Sequence, residues 1–288
     1  MSGQGGRVLA GRVGMDTRGG SMTGDSVVTR DSVVTGDSAA GGRVALITGA
    51  SRGIGAAVAR LLASRGLRVV VNYRSSREEA DGVVAAVRSA GGQAMAVQAD
   101  VRDGPAVLAM VEQARAAMGE VEVLVHNALI PYAIKSLDEI SWPELGGKLD
   151  QELQAAFLVT KAVVPGMTAR GYGRIVYLGT VLSGRPRAGM IALGTAKAAL
   201  TSFARYAAQE LGPRGITVNV VAPGPVGETA ITGAALDQEH KQRLAAQTVL
   251  GRIASPEDVA RAIAFYASDD SEFITGSVAP VSGGVDLD

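Results

Sequence analysis

The sequence contains no cysteine, which excludes disulfides, thiolate nucleophiles and cysteine-ligated metal sites. Histidine is scarce as well: His126 and His240 are the two in 288 residues, too few for a histidine metal centre, so no metal is expected. Aromatic residues make up 4 % of the chain, and 28 Lys+Arg balance 28 Asp+Glu. A chain with no net charge offers no electrostatic footprint for nucleic acid or for an anionic membrane surface, and neither is expected as a partner. No apolar run approaches the roughly 20 residues that span a bilayer. Arg7, Arg12 and Arg18 precede no continuous apolar core, so no secretory signal is read and a cytoplasmic location is the default expectation.

Apolar side chains, at 47 %, and glycine, at 38 residues, are plentiful. The first fits a folded globule, and the second fits many tight turns or close backbone approaches. The chain divides into a tail and one domain. Residues 1–41 are rich in Gly, Ser, Thr, Asp and Arg and hold an imperfect repeat, Asp25 to Thr29 and then Asp31 to Thr35. Two copies are too few for a solenoid. This stretch is expected to be a disordered extension, or the product of an upstream start codon with Met15 or Met22 as the natural start; a partner-binding arm is the alternative.

From Arg43 the pattern changes. Short apolar runs at Val44–Ile47, Arg68–Asn72, Ala94–Gln98, Val121–His126, Arg174–Leu178, Ile216–Val221 and Val278–Val281 have the length of buried strands. Between them lie helical stretches: Ala56–Arg65 closed by Gly66, Glu78–Ala90, one starting at Asp103 and Pro105, Glu152–Arg170, Ala192–Leu211, a polar one holding His240, and Pro256–Ala267 capped by Ser255. Alternating strands and helices, with strands apolar on both faces, predict an α/β fold. Its core would be a doubly wound parallel sheet of Rossmann type in a single domain over 42–288.

The strongest local signal is Thr48-Gly49-Ala50-Ser51-Arg52-Gly53-Ile54-Gly55, set between a buried strand and a helix. Glycines there let the backbone approach a pyrophosphate, and the helix start offers N–H groups and the positive end of its dipole. A tight turn with no ligand is the bland alternative.

With its G-x-x-x-G-x-G spacing, this turn resembles that of the short-chain dehydrogenase/reductase family, in the branch that includes the β-ketoacyl-thioester reductases. Further motifs follow in the family's order: Asn127-Ala128, Ala196-Lys197-Ala198, Val218 to Gly224 and Ser282 to Gly284. The resemblance spans about residues 43–285 and implies a nicotinamide cofactor and a small-molecule substrate. The second strand ends Asn72-Tyr73-Arg74-Ser75 without the carboxylate that would hold a ribose 2′-hydroxyl. Arg52 and Arg74 could clamp a 2′-phosphate, so NADP(H) is the expected cofactor. The family pattern then puts Gly49, Ser51, Arg52, Gly53, Ile54, Gly55, Arg74 and Ser75 at the phosphates and Asp100-Val101 at the adenine. It puts Asn127-Ala128 by the adenosine ribose, and Lys197, Pro223, Gly224 and Thr229 at the nicotinamide end. Residues 225–247 would be a lid over an apolar substrate. The family's habit of pairing its two long helices implies a homo-oligomer, a tetramer or a dimer.

The resemblance fails at the catalytic positions. The family places a tyrosine acid four residues before its lysine; four before Lys197 is Leu193. Thirteen further back, where the family has a serine, stands Thr180, and the family's asparagine is Glu152. Leucine donates no proton, and losing an acid typically costs 10²–10⁴ in rate. Lys197, Thr180, Glu152 and Tyr132 are therefore the candidate catalytic residues. Glu152 is read either as an acid or base or as an ion-pair partner that only fixes Lys197; Tyr132 and Tyr177 are candidate phenols, with packing roles as the alternative. The expected function is a non-redox cyclisation, dehydration or isomerisation of a carbonyl-rich, polyketide-type metabolite by an NADP(H)-binding chain; the alternatives are an NADPH-dependent enoyl or ketone reduction with a non-standard acid, and a catalytically silent nucleotide-binding partner.

Overall fold

The structure, a computed structural model, describes residues 42–227 and 237–285. The expected N-terminal extension, Thr229 and much of the expected lid lie outside the described residues. Seven strands form one sheet: β1 (Val44–Ile47), β2 (Arg68–Tyr73), β3 (Gln93–Gln98), β4 (Val121–His126), β5 (Gly173–Leu178), β6 (Ile216–Pro223) and β7 (Val278–Val281). Their order is β3-β2-β1-β4-β5-β6-β7, and every pairing is parallel. Winding runs outward both ways from the β1/β4 boundary, which makes that boundary the switch point of the doubly wound sheet.

Seven α-helices are found among the described residues: α1 (Gly53–Ser64), α2 (Arg77–Ser89), α3 (Gly104–Met118), α4 (Trp142–Arg170), α5 (Ile191–Leu211), α6 (Gln238–Ala246) and α7 (Pro256–Tyr266), and all but α6 contribute to the two cores that cover the sheet. The strands are apolar on both faces because both are covered. Ala45, Ile47, Val69, Val71, Val123 and Val125 pack with α1, α2 and α7 on one side. Val44, Leu46, Val70, Leu124, Ile175 and Tyr177 pack with α3, α4 and α5 on the other. Local chemistry sets several helix starts. Asp103 accepts a hydrogen bond from the Ala106 N–H at 3.2 Å, and Ser255 and Asp258 form a reciprocal capping box.

One boundary departs from expectation. Helix α4 begins ten residues before Glu152, at Trp142. Gly146 and Gly147 interrupt the apolar periodicity there, but the Glu144 carboxylate accepts hydrogen bonds from the backbone N–H and hydroxyl of Ser141 and fixes the first turn. Trp142 lies against Gly146, where a methyl group would come within 3.2 Å of the indole ring. The extra turns matter because they carry Lys148.

Gly55 lets α1 lie against the sheet. A Cβ at this position would come within 2.6 Å of Asn127 Nδ2, 2.7 Å of the Gly49 carbonyl oxygen and 2.8 Å of Ala50 Cα. Two of these three atoms are backbone and cannot swing aside. Gly55→Ala is expected to lower the stability by about 1–3 kcal/mol. A denaturant midpoint equal to that of the unaltered chain would show that this junction is not tightly packed.

Candidate active site

The carboxyl ends of β1, β4, β5 and β6 gather the predicted residues, as expected for a crevice at a topological switch point. Thr48, just after β1, ties this point together. Its hydroxyl oxygen accepts the N–H groups of Asn127 and Ala128, each at 3.0 Å, and lies 3.3 Å from His126 Nδ1. Asn127 returns the tie, its amide donating to the carbonyls of Thr48 at 3.0 Å and Gly49 at 2.9 Å. On the other flank Asn72 Oδ1 accepts the Gly49 N–H at 3.2 Å, while Asn72 Nδ2 donates to the Ala99 carbonyl at 3.1 Å. The glycine turn is thus held from both sides, with Gly49 at φ 62° and Gly53 at φ 56°. No side chain caps the start of α1 at Arg52, so nothing competes for an anion approaching its first N–H groups.

Around this turn Arg52, Arg74 and Ser75 are exposed. Asp100 is held by Arg102, whose guanidinium binds both carboxylate oxygens, at 2.9 and 2.6 Å. This bond, opposed by partial burial and aided by the charge of Arg74, keeps the carboxyl down at about 2. Arg102 also donates to Gln151 of α4 at 2.6 Å. Pro223 ends β6, and the Gly224 N–H donates to the Val281 carbonyl at 3.1 Å.

The second half of the site is a buried chain of charges. Glu152 takes Lys148 Nζ at 2.5 Å on one oxygen and Lys197 Nζ at 2.7 Å on the other. The three side chains are 1 %, 0 % and 4 % exposed for Lys148, Glu152 and Lys197. Each ammonium also donates to a backbone carbonyl, Lys148 to Ile130 in the loop after β4 at 2.8 Å and Lys197 to Leu178 at the end of β5 at 2.5 Å. Burial alone would raise the Glu152 carboxyl, but two adjacent ammonium groups outweigh it and hold the carboxyl down at about 2. Burial lowers the Lys148 ammonium, against the pull of Glu152. Leu193, one turn before Lys197 on α5, is 7 % exposed. Thr180 follows β5, and its hydroxyl accepts the Leu182 N–H at 3.3 Å.

The phenols sort clearly. Tyr177 is fully buried between His126 and Phe203, and its hydroxyl shares a 2.5 Å hydrogen bond with Thr160. Burial pushes it far above the usual tyrosine range, although the Thr160 bond opposes this. It packs. Tyr132 is half-buried with its ring 5.6 Å from Lys148 Nζ, so its contact is with Lys148 rather than Lys197; burial raises its phenol too.

The reading from sequence did not single out Lys148. Its signal was the i, i+4 spacing to Glu152, hidden because the helix was read as starting at Glu152. The pair of readings left open for Glu152 also changes weight. A carboxylate clamped by two cations is poorly placed to exchange protons and well placed to fix Lys197.

The family described as enoyl-(acyl carrier protein) reductase matches residues 49–286. The chain belongs to the short-chain dehydrogenase/reductase family. It is 36 % identical to the 3-oxoacyl-[acyl-carrier-protein] reductase FabG of Escherichia coli, over 85 % of this chain and 97 % of that protein. It is 40 % identical to cis-4-hydroxycyclohexanecarboxylate dehydrogenase of Sinomonas cyclohexanicum, over 84 % and 96 %. Among solved structures it superposes with a TM-score of 0.78 on a blue fluorescent protein from a metagenomic library in complex with NADPH, at 36 % identity over 86 % of this chain and 99 % of that one. A short-chain dehydrogenase/reductase of Serratia marcescens, solved as a double mutant, gives a TM-score of 0.77 at 33 % identity over the same shares. No helix among the described residues is long and apolar enough to cross a membrane.

His126 gives a pH prediction. Thr48 Oγ1 accepts two backbone N–H groups, so its own proton goes to His126 Nδ1 and the ring proton sits on Nε2, a buried atom without a hydrogen-bond partner among the described residues. Burial depresses the imidazole from 6.5 to about 4, with Lys197 and Lys148 adding to the effect and Glu152 opposing it. Because the folded value is the lower one, the unfolded chain takes up the proton first. Stability present above about pH 6.5 should therefore fall as the pH drops toward 4, by about 1.4 kcal/mol per unit. Chemical denaturation across pH 4–7 should show this slope, and His126→Gln should remove it above about pH 5, where the depressed carboxylates of Asp100 and Glu152 add little. Equal slopes in both proteins would rule out a buried neutral His126.

Proposed function

We propose that this chain is an NADP(H)-dependent oxidoreductase acting on a small molecule with a polarised double bond. We further propose that its best substrates are alkenes conjugated to a carbonyl rather than simple ketones. The observation that carries this reading is the pairing of Leu193 with the Lys148–Glu152–Lys197 group. A hydrocarbon stands where a ketone reductase needs an acid, while a fixed, net-positive group stands beside it.

The residues at the glycine turn fit the nucleotide. Positive-φ glycines and an uncapped helix start suit a pyrophosphate. The end of β2 carries no carboxylate, Asn72 is turned inward onto Gly49, and Arg52 and Arg74 stand exposed nearby, which favours a 2′-phosphate over a bare ribose. Relatives named as oxidoreductases, and one solved with NADPH, support the same assignment. The cofactor would supply a hydride to the substrate.

Reduction of a conjugated alkene places the incoming hydride on the β-carbon and negative charge on the carbonyl oxygen. The Thr180 hydroxyl would donate to that oxygen, and the surplus positive charge behind Lys197 would stabilise it electrostatically. The α-carbon is then protonated by water or by Tyr132, so no phenol is required at position 193. A simple ketone has no such route, because its oxygen must be protonated as the hydride arrives. The non-redox reading needs Glu152 to gain and lose a proton, and its two ion pairs oppose that. The exposed Phe157 and Tyr206 on α4 and α5 are consistent with an expected homo-oligomer.

Leu193→Tyr restores a phenol one turn from Lys197 and should raise turnover of β-ketothioester analogues by about 10²-fold or more, followed by NADPH absorbance. If NADPH still binds and ketone turnover does not rise, the pocket lacks reductase geometry. Conversion of a substrate at constant NADPH absorbance by the unaltered protein would favour the non-redox reading. Nucleotide binding without any turnover would favour the silent partner.

A further inference from the structure

We infer that Lys148 is a positioning residue that acts through Glu152 and Lys197 to keep one surplus positive charge buried beneath the nicotinamide end of the site. Through this charge it makes the site discriminate between the oxidised and reduced cofactor. The inference rests on the nucleotide-dependent reading above and deepens it.

The charge count is direct: two ammonium groups face one carboxylate, with contacts of 2.5 and 2.7 Å. Among the described residues no further anion acts on them. The charged groups acting on Lys148 are Glu152 and Lys197, and those acting on Glu152 are the two lysines. Two titratable rings face the group: His126 is held neutral by burial, and Tyr132 presents its ring face, its phenol raised by burial. The remaining ammonium partners are the carbonyls of Ile130 and Leu178, which orient the protons but carry no net charge. A structural role would be met by a neutral pair, one lysine with one glutamate. The second lysine is what leaves the group at plus one, in a setting where salt screens it weakly.

The oxidised nicotinamide ring is a cation and the reduced ring is neutral. A buried positive charge close to Lys197, the residue the family places at the nicotinamide ribose, therefore weakens the oxidised form selectively and leaves the reduced form little affected. It also favours any substrate whose oxygen becomes negative as it reacts.

Binding, not turnover, tests this. The dissociation constants of NADPH and NADP⁺ are measured at neutral pH by NADPH fluorescence and by competition, in the full chain. Lys148→Met leaves the neutral Glu152–Lys197 pair and should shift the NADP⁺:NADPH ratio toward NADP⁺ on the order of tenfold, at an effective dielectric of about 20. The double variant Lys148→Met with Glu152→Gln restores the plus-one charge through Lys197 alone, and its ratio should return to within about twofold of the unaltered protein. A purely structural role predicts the opposite order, with the double variant further from the starting ratio than the single one. Lys148→Gln serves as the neutral variant should the methionine variant not fold. An unchanged ratio in the neutral variant, or no return in the double variant, overturns the inference while leaving the nucleotide reading intact. Failure of the unaltered protein to bind either nucleotide overturns both.

Discussion

The knot at the β1/β4 boundary is what the rest of this molecule depends on. A parallel doubly wound sheet must reverse its winding somewhere, and at that point two adjacent strand ends have no crossover between them. Here Thr48 and Asn127 exchange two hydrogen bonds across the gap, Ala128 and Gly49 add one each, and Asn72 holds the glycine turn from the far side. Every side chain discussed above is placed relative to this knot. The turn can present backbone because its polar groups are committed beneath it, and His126 is sealed in because the same threonine claims its ring.

The second theme is charge placed where a proton donor is missing. An acid at position 193 would act by transferring a proton. A fixed group of two ammoniums and a carboxylate acts by its field, needs no transfer, and suits chemistry in which the new charge rests on an oxygen until a carbon is protonated. Burying such a group is costly unless each member is paired and hydrogen-bonded. The carbonyls of Ile130 and Leu178 and the Lys148 bond to one Glu152 oxygen meet that condition in part, while the other Glu152 oxygen is held by its ion pair with Lys197 alone.

Much of the architecture was legible because it rests on periodicity. Valine-rich runs such as Val69 to Val71 and Val123 to Val125 report burial on both faces, and Asp103 and Ser255 announce helix starts through side-chain chemistry. The glycine turn could be read from its spacing and its place between strand and helix, while Lys197 and the anomaly at Leu193 were legible only through the family resemblance. Lys148 could not, since Gly146 and Gly147 break the pattern and a helix start fixed by Glu144 folding back on Ser141 leaves a weak trace in composition. Asn72 was legible only as a missing carboxylate, whereas its work is to bridge Gly49 and Ala99. Asn127, expected beside a ribose, spends its amide on Thr48 and Gly49. Spacing says which face a side chain occupies; it does not say which neighbour claims its protons.

Arg102 has a consequence that reaches across the crevice. Its guanidinium joins Asp100, beyond the end of β3, to Gln151, the residue preceding Glu152 on α4. Gln151 lies on the turn of α4 between Lys148 and Glu152, so Arg102 braces the helix at the point from which Glu152 reaches both lysines. One side chain thus joins the loop after β3 to the turn of α4 that carries Glu152.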